Sequence, residues 1–143
     1  MKSLLAIVAV VCAVAALAFA DNPTQSQDDS ARLKAVIHVN FDDSERQHNA
    51  LGNIESILKS EPKAELEVVC HGAGITLLQK SKAKHAEQVQ ALMQQGVRFD
   101  ACENTMKRKS IPQDDLLPGT RTVASGAVEI IRKQQQGHSY FRP

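Results

Sequence analysis

Cys102 is the residue of this chain whose position most favours chemistry. It directly follows a short β-type run, Val97–Ala101, and directly precedes a helix-compatible run. A thiol there lies at the C-terminal end of a strand, which is where open α/β sheets bind ligands. The partial positive charge of a helix start favours the thiolate, which is the reactive form. The position therefore predicts a reactive cysteine, and the alternative is a small buried residue that fills space behind the strand.

His71 is the second candidate, because it follows another predicted strand. Gly72 and Gly74 come directly after it and allow backbone to approach a ligand closely. A cysteine and a histidine that meet at one sheet edge resemble an activated thiol. The alternative is that His71 only bonds loop carbonyls.

Three further polar residues are weighed with these two. Asn104 and Thr105 lie in the first turn after Cys102, where they could bond a thiolate or persulfide, or only local backbone. His38 lies inside a strand of a sheet covered on both faces, which predicts a buried, hydrogen-bonded imidazole or a contact of the site. A metal site of His38, His71 and Cys102 is conceivable but has no spacing signature, so we predict no metal ligands. We also predict no cofactor.

The elements that must position these residues alternate between strand and helix. The predicted strands cover Leu33–Val39, Glu65–Cys70, Val97–Ala101, Arg121–Ala124 and Ser139–Phe141. The predicted helices cover Glu45–Lys59, Ala83–Gln95, Glu103–Lys109 and Gly126–Gln136, with a short one from Ile75 to Leu78. This pattern predicts a three-layer α/β/α domain with a mostly parallel sheet. The residues then expected at the C-terminal edge of the sheet are Asn40, His71, Cys102 and Ser125.

The N-terminus has the three parts of a secretory signal peptide. Lys2 precedes an uncharged run with an apolar core from Leu4 to Leu17, and Ala18–Ala20 has the small-x-small pattern of a cleavage site. We therefore expect cleavage after Ala20 and a periplasmic or secreted protein. The alternative is an uncleaved membrane anchor, although the apolar stretch is short for a span of about 20 residues.

Composition limits the size and the partners of the mature chain. Removal of the first 20 of 143 residues leaves 123, which suits a polar, flexible leader at 21–32 and one domain at 33–143. Without Lys2 the chain has 16 basic and 16 acidic residues and no basic block. This balance argues against nucleic acid and, after signal cleavage, against membranes as partners.

The mature chain keeps two cysteines, Cys70 and Cys102. They could pair in an oxidising compartment or remain thiols. A bridge requires Cα atoms within about 7 Å, which is met only if the second and third strands are neighbours. We expect no stable bridge. We also expect Cys102 to be the more reactive thiol, because burial raises the pKa of Cys70 and a helix start lowers that of Cys102.

Several segments, taken in order, carry a resemblance over about Lys34–Pro143. They are Val36–Val39, Ala50–Ile54, Val69–Gly74, Gly96–Thr105, Val123–Gly126 and Gln135–Tyr140. The chain resembles the DsrE/DsrF-like sulfur-relay family, in particular its exported, single-domain branch. The resemblance implies a three-layer α/β/α fold with about five parallel strands. It also implies a homo-oligomer, often a trimer or hexamer, which suits a core with little aromatic burial.

The resemblance also implies a function. Better-studied relatives carry sulfur as a cysteine persulfide and pass it to a partner protein. The cysteine of their strand-to-helix turn corresponds to Cys102, and His71 matches a recurring histidine. We therefore predict an exported sulfur carrier of sulfurtransferase type, with Cys102, His71 and Asn104 as site residues. The well-studied members are cytoplasmic, so the donor and acceptor stay open. The alternatives are a small-ligand binding or assembly module, and a thiol or metal sensor that uses Cys102 with His71 or His38.

Overall fold

The structure is a computed structural model that describes residues 32–143, so the predicted signal peptide lies outside the described residues. Five strands form one sheet: β1 Lys34–Val39, β2 Glu65–Cys70, β3 Arg98–Cys102, β4 Arg121–Val123 and β5 Ser139–Phe141. The helices are α1 Ser44–Ser60, α2 Ala86–Gln94, α3 Glu103–Lys109 and α4 Gly126–Gln135. All strand pairs are parallel, in the order β4-β3-β2-β1-β5. The predicted fold class is confirmed.

The strand order decides which helices cover which face. The chain steps in one direction from β1 to β4 and then returns across the whole sheet to β5. Because such crossovers are right-handed, α1, α2 and α3 lie on one face and α4 lies alone on the other. The main core contains Leu51 of α1, Leu92 of α2 and Met106 of α3. On the α4 face the buried apolar cluster is small, with Ile130 packed on two valines.

Local signals explain where α1 begins and why α2 is short. Asp43 caps α1, because its side chain accepts a hydrogen bond from the Arg46 amide at 2.8 Å. The helix predicted from Ala83 begins only at Ala86. The carboxylate of Asp115 accepts hydrogen bonds from the side chain of Gln79 and from the amide and hydroxyl of Ser81. These bonds hold the segment before α2 in turns and tie it to a loop distant in sequence.

The α4 face also buries charge that the sequence pattern did not indicate. Glu67 and Asp100 are fully buried in the middle of the sheet. Arg98 and Lys133 each lie 2.8 Å from Glu67, and Arg121 lies 3.3 Å from Asp100. Burial, and then the neighbouring Glu67 carboxylate, raise the pKa of Asp100 to about 7. One helix cannot cover five strands, so charged side chains from the sheet and α4 shield the remainder of this face.

Among residues 32–143, no helix has the length and apolar character needed to cross a membrane.

Candidate functional site

The predicted edge residues lie at the C-terminal edge of the sheet. Cys102 ends β3 and caps α3, while Ser125 follows β4 and caps α4 without a side-chain hydrogen bond. Cys70 pairs with Ala101, and His71 and Cys102 are the next residues of their strands. His71 keeps an extended backbone, with φ −142° and ψ 171°. His71 and Cys102 therefore project at the same level on the face that carries α4.

The thiol of Cys102 lies in a group of hydrogen-bond donors. Cys102 is 5% exposed. Its Sγ accepts a hydrogen bond from the backbone N–H of Gly126 at 3.3 Å. Burial alone would raise the pKa of this thiol. The amide of Gly126, the hydroxyl and amide of Thr105 and the amide of Asn104 together outweigh burial and lower the pKa below its ordinary value. The direction is the one expected for Cys102, and its greater reactivity stays a prediction.

Thr105 connects the thiol to the loop after β2. Its hydroxyl oxygen accepts the amide of Gly72 at 3.0 Å and the guanidinium of Arg108 at 3.4 Å. Both bonds use the oxygen as acceptor, which leaves the hydroxyl proton for the sulfur of Cys102. Thr105 is therefore held in the orientation that favours the thiolate.

Asn104 is placed differently from Thr105. Asn104 is exposed, and its backbone N–H donates a hydrogen bond to the carbonyl of Ala124 at 3.3 Å. The same amide contributes to the low pKa of Cys102. The structure thus brings the backbone of Asn104 to the thiol, and a role for its side chain stays a prediction.

His71 belongs to a chain of three side chains that crosses the sheet edge. Its Nε2 lies 2.6 Å from Nε2 of His38, and Nδ1 of His38 lies 2.8 Å from the hydroxyl of Tyr140. The sequence predicts His38 as a core residue or a site contact and does not indicate Tyr140. His38 is half-buried and lies on the α4 face of β1, two residues after Val36. It meets Tyr140 because β5 lies beside β1.

Both imidazoles favour the neutral form. Burial, and then the positive charges that His71 and Arg142 can carry, lower the pKa of His38 to about 4. Burial, and then the charge of Arg108, lower the pKa of His71. At neutral pH a single hydrogen therefore lies between the two Nε2 atoms, and which nitrogen carries it depends on the tautomers.

Gly126 lies between the thiol and the imidazole. A methyl group at this position would be 3.0 Å from His71 Cβ, 3.2 Å from His71 Cδ2 and 3.2 Å from a methyl of Val69. Only a residue without a side chain lets the start of α4 come close enough to donate its N–H to Cys102. This contact had no signal in the sequence beyond a glycine after a predicted cap.

Cys70 contrasts with Cys102. It is fully buried in the main core, on the face opposite Cys102. Burial, and then the charge of Asp100, raise the pKa of the Cys70 thiol well above its ordinary value. Although β2 and β3 are neighbours, alternate residues of a strand point to opposite faces. Both cysteines of the described chain are free.

Within residues 32–143 no group of three or more histidine, cysteine, aspartate or glutamate residues is arranged to hold a metal ion. His38 and His71 approach closely, but their Nε2 atoms at 2.6 Å share a hydrogen bond.

The fold and the site together define a class. This is a three-layer α/β protein that presents a low-pKa thiol at the C-terminal edge of a parallel sheet, between the starts of α3 and α4. The model of the DsrE/DsrF-like family matches residues 32–143. The chain belongs to the DsrE/DsrF-like family, which is related to sulfur relay.

Solved structures agree with this assignment. The protein of unknown function MTH1491 from Methanobacterium thermoautotrophicum is 33% identical, with a TM-score of 0.75; the match covers 78% of this chain and 99% of that one. The ychN protein from E. coli shares the fold at 19% identity and a TM-score of 0.65, covering 78% and 99%. BT1422 from Bacteroides thetaiotaomicron shares it at 12% identity and a TM-score of 0.65, covering 77% and 94%. No curated protein matches the chain.

Proposed function

We propose that this protein carries sulfane sulfur as a persulfide on Cys102 and passes it to a partner. The observation that supports this proposal is the setting of the Cys102 sulfur. Its thiolate is stabilised by the Gly126 N–H, at 3.3 Å, and by the hydroxyl of Thr105. A thiolate is the nucleophile that sulfur acceptance requires.

The proposed reaction needs no external oxidant. The Cys102 thiolate attacks the outer sulfur of a persulfide donor, R–S–SH. A new S–S bond forms at Cys102, the S–S bond of the donor breaks, and its electron pair leaves with the thiolate R–S⁻. Transfer onward is the same displacement, with an acceptor thiolate attacking the outer sulfur of the Cys102 persulfide. Once the outer sulfur of the Cys102 persulfide has released its proton to solvent, the amides and the Thr105 hydroxyl that lower the thiol pKa also suit its negative charge.

Comparison of Cys102→Ser with Cys70→Ser tests the carrier proposal. Each protein is incubated with thiosulfate, polysulfide or a persulfide donor, and its intact mass is measured with and without reductant. We expect wild type and Cys70→Ser to gain one reducible sulfur atom and Cys102→Ser to gain none. His71→Ala should load more slowly than wild type. Loading of Cys102→Ser at the full rate would refute the carrier proposal, and absence of loading in all variants would favour a small-ligand binding module.

Export is the second part of the proposal and is supported by the N-terminal pattern. The positively charged Lys2, the apolar run and the small residues before Asp21 match the signal peptide pattern. Mass spectrometry of the periplasmic or secreted fraction should find Asp21 as the first residue. A full-length protein in the cytoplasm would refute export.

Self-association is the third part of the proposal. Val128 and Ile131 on α4 are 50% and 57% exposed. Apolar surface on this sparsely covered face favours burial against another copy of the chain. We expect a homotrimer or homohexamer by light scattering at micromolar concentration. A monomer under these conditions would refute this part.

A further inference from the structure

We propose that Tyr140, His38 and His71 form a proton relay that connects solvent with the Cys102 site, with His71 as its inner end. This inference rests on the proposed sulfur transfer and extends it by assigning the source of a proton. Neither His38 nor Tyr140 contacts the thiol, so both would act through His71.

The hydrogen-bond distances between the relay residues suit proton transfer. The Tyr140 oxygen to His38 Nδ1 distance is 2.8 Å, and the Nε2 to Nε2 distance is 2.6 Å. Both lie at the short end of the hydrogen-bond range. The two rings are inclined by only 16° and their centroids are 4.6 Å apart. The rings are therefore nearly parallel, and their Nε2 atoms lie within hydrogen-bond distance.

The two ends of the relay lie in different environments. Tyr140 is 46% exposed and can exchange its hydroxyl proton with solvent. At the other end, Nδ1 of His71 has no hydrogen-bond partner within residues 32–143. The ring of His71 packs on Gly126, whose N–H is bonded to the sulfur of Cys102. Because His71 and Cys102 are also neighbouring positions of adjacent strands on the same face of the sheet, we place the leaving sulfur of a donor bound at Cys102 next to His71.

The proton balance of the relay is complete in one tautomer of the pair. In this tautomer Tyr140 donates to Nδ1 of His38, Nε2–H of His38 donates to Nε2 of His71, and Nδ1–H of His71 is the proton that the relay delivers. When sulfur transfer releases R–S⁻, this thiolate takes the Nδ1 proton of His71. The Nε2 proton of His38 moves to His71, the hydroxyl proton of Tyr140 moves to His38, and Tyr140 takes a proton from solvent. One proton enters, one leaves, and both imidazoles end neutral with exchanged tautomers.

The charges around the pair keep the relay in this neutral form. His38 faces His71, Tyr140 and the guanidinium of Arg142. His71 faces His38 and the guanidinium of Arg108. The arginines disfavour a further positive charge, and no carboxylate contributes to the pKa shift of either ring. A protonated histidine donates from both nitrogens and would block the relay.

Tyr140→Phe separates proton delivery from thiol reactivity. We expect it to slow sulfur uptake from cysteine persulfide about tenfold, less than the roughly 10²–10⁴-fold of a direct general acid, because Tyr140 acts only through His38 and His71. It should leave the rate of Cys102 alkylation by iodoacetamide unchanged, because the leaving iodide needs no proton. The solvent deuterium isotope effect on uptake should also fall. His48→Gln, at an exposed histidine on α1, is the matched control and should change neither rate.

Uptake at the wild-type rate in Tyr140→Phe would overturn the relay, and so would equal loss of uptake and alkylation, which indicates a structural role. If wild type takes up no sulfur, the carrier proposal fails and nitrogen-15 NMR of the histidines decides the relay independently. Opposite neutral tautomers for His38 and His71 at pH 7 would support it. Identical tautomers, or protonated rings at that pH, would overturn it.

Discussion

Gly126→Ala is the most direct test of the site geometry, because the chain has a matched control. Gly126 and Gly52 both lie in helices, α4 and α1, and neither has a positive φ. A methyl group at Gly52 would meet nothing within 4 Å, whereas one at Gly126 would lie 3.0 Å from His71 Cβ. The same substitution therefore tests helix propensity alone at one position and propensity plus crowding at the other.

The expected magnitudes follow from these two environments. Gly52→Ala should stabilise the protein by about 0.5–1 kcal/mol through helix propensity. Gly126 gains less because it is the first helical residue, and crowding of a packed site costs about 1–3 kcal/mol. We expect Gly126→Ala to be about 2 kcal/mol less stable than Gly52→Ala. Urea denaturation at one fixed protein concentration measures this difference, since association would otherwise shift the midpoint.

Gly126→Ala should also change the chemistry of Cys102. Displacing the Gly126 N–H weakens a hydrogen bond to the thiolate, which is worth about 1.5–3 kcal/mol when fully lost. Partial loss corresponds to a pKa rise of about 1 unit, seen as a shift in the pH dependence of iodoacetamide alkylation. Gly52→Ala should leave this profile unchanged. If Gly126→Ala matches the control in both stability and alkylation, the packing of α4 against His71 and Cys102 is refuted.

Three further perturbations probe the same region. As pH rises from 5 to 7, the free energy of unfolding of Asp100→Asn should increase by about 2 kcal/mol relative to wild type, with little further change above pH 7. The reason is that the pKa of Asp100 is raised to about 7 in the folded protein, so wild type loses stability as pH rises toward that value. Urea denaturation across this pH range checks the prediction. The pH dependence has the opposite sign for His38, because its pKa is lowered to about 4. As pH falls from about 6.5 to 4.5, wild type should lose about 1–2 kcal/mol of unfolding free energy relative to His38→Gln. Thr105→Val removes the hydroxyl that accepts the Gly72 amide at 3.0 Å and should raise the pKa of Cys102, whereas Thr105→Ser should keep it low in alkylation profiles.

Local patterns were sufficient for the parts of the fold that depend on neighbours in sequence. Apolar runs and helical spacing predicted β2, α3 and β5 with the bounds that the structure has. The alternation of strands and helices predicted the parallel sheet, and hence the edge at which His71 and Cys102 lie. One strand end and one helix start predicted the contrast between a buried Cys70 and a low-pKa Cys102, although the leading hydrogen bond that lowers the Cys102 pKa comes from Gly126 of α4.

Contacts between distant segments were decided by tertiary structure alone. His38 and Tyr140 are 102 residues apart and meet because the return crossover places β5 beside β1. Gly126 reaches the sulfur of Cys102 across 24 residues because α4 is the helix that crosses that face of the sheet. The local sequence does not distinguish Glu67 and Asp100 from ordinary polar strand residues, yet both are buried under charged side chains. Sequence periodicity indicates which side of a helix or strand a residue occupies. The partner that this residue meets depends on the strand order and on the hand of the crossovers, and these are set only when the whole sheet packs.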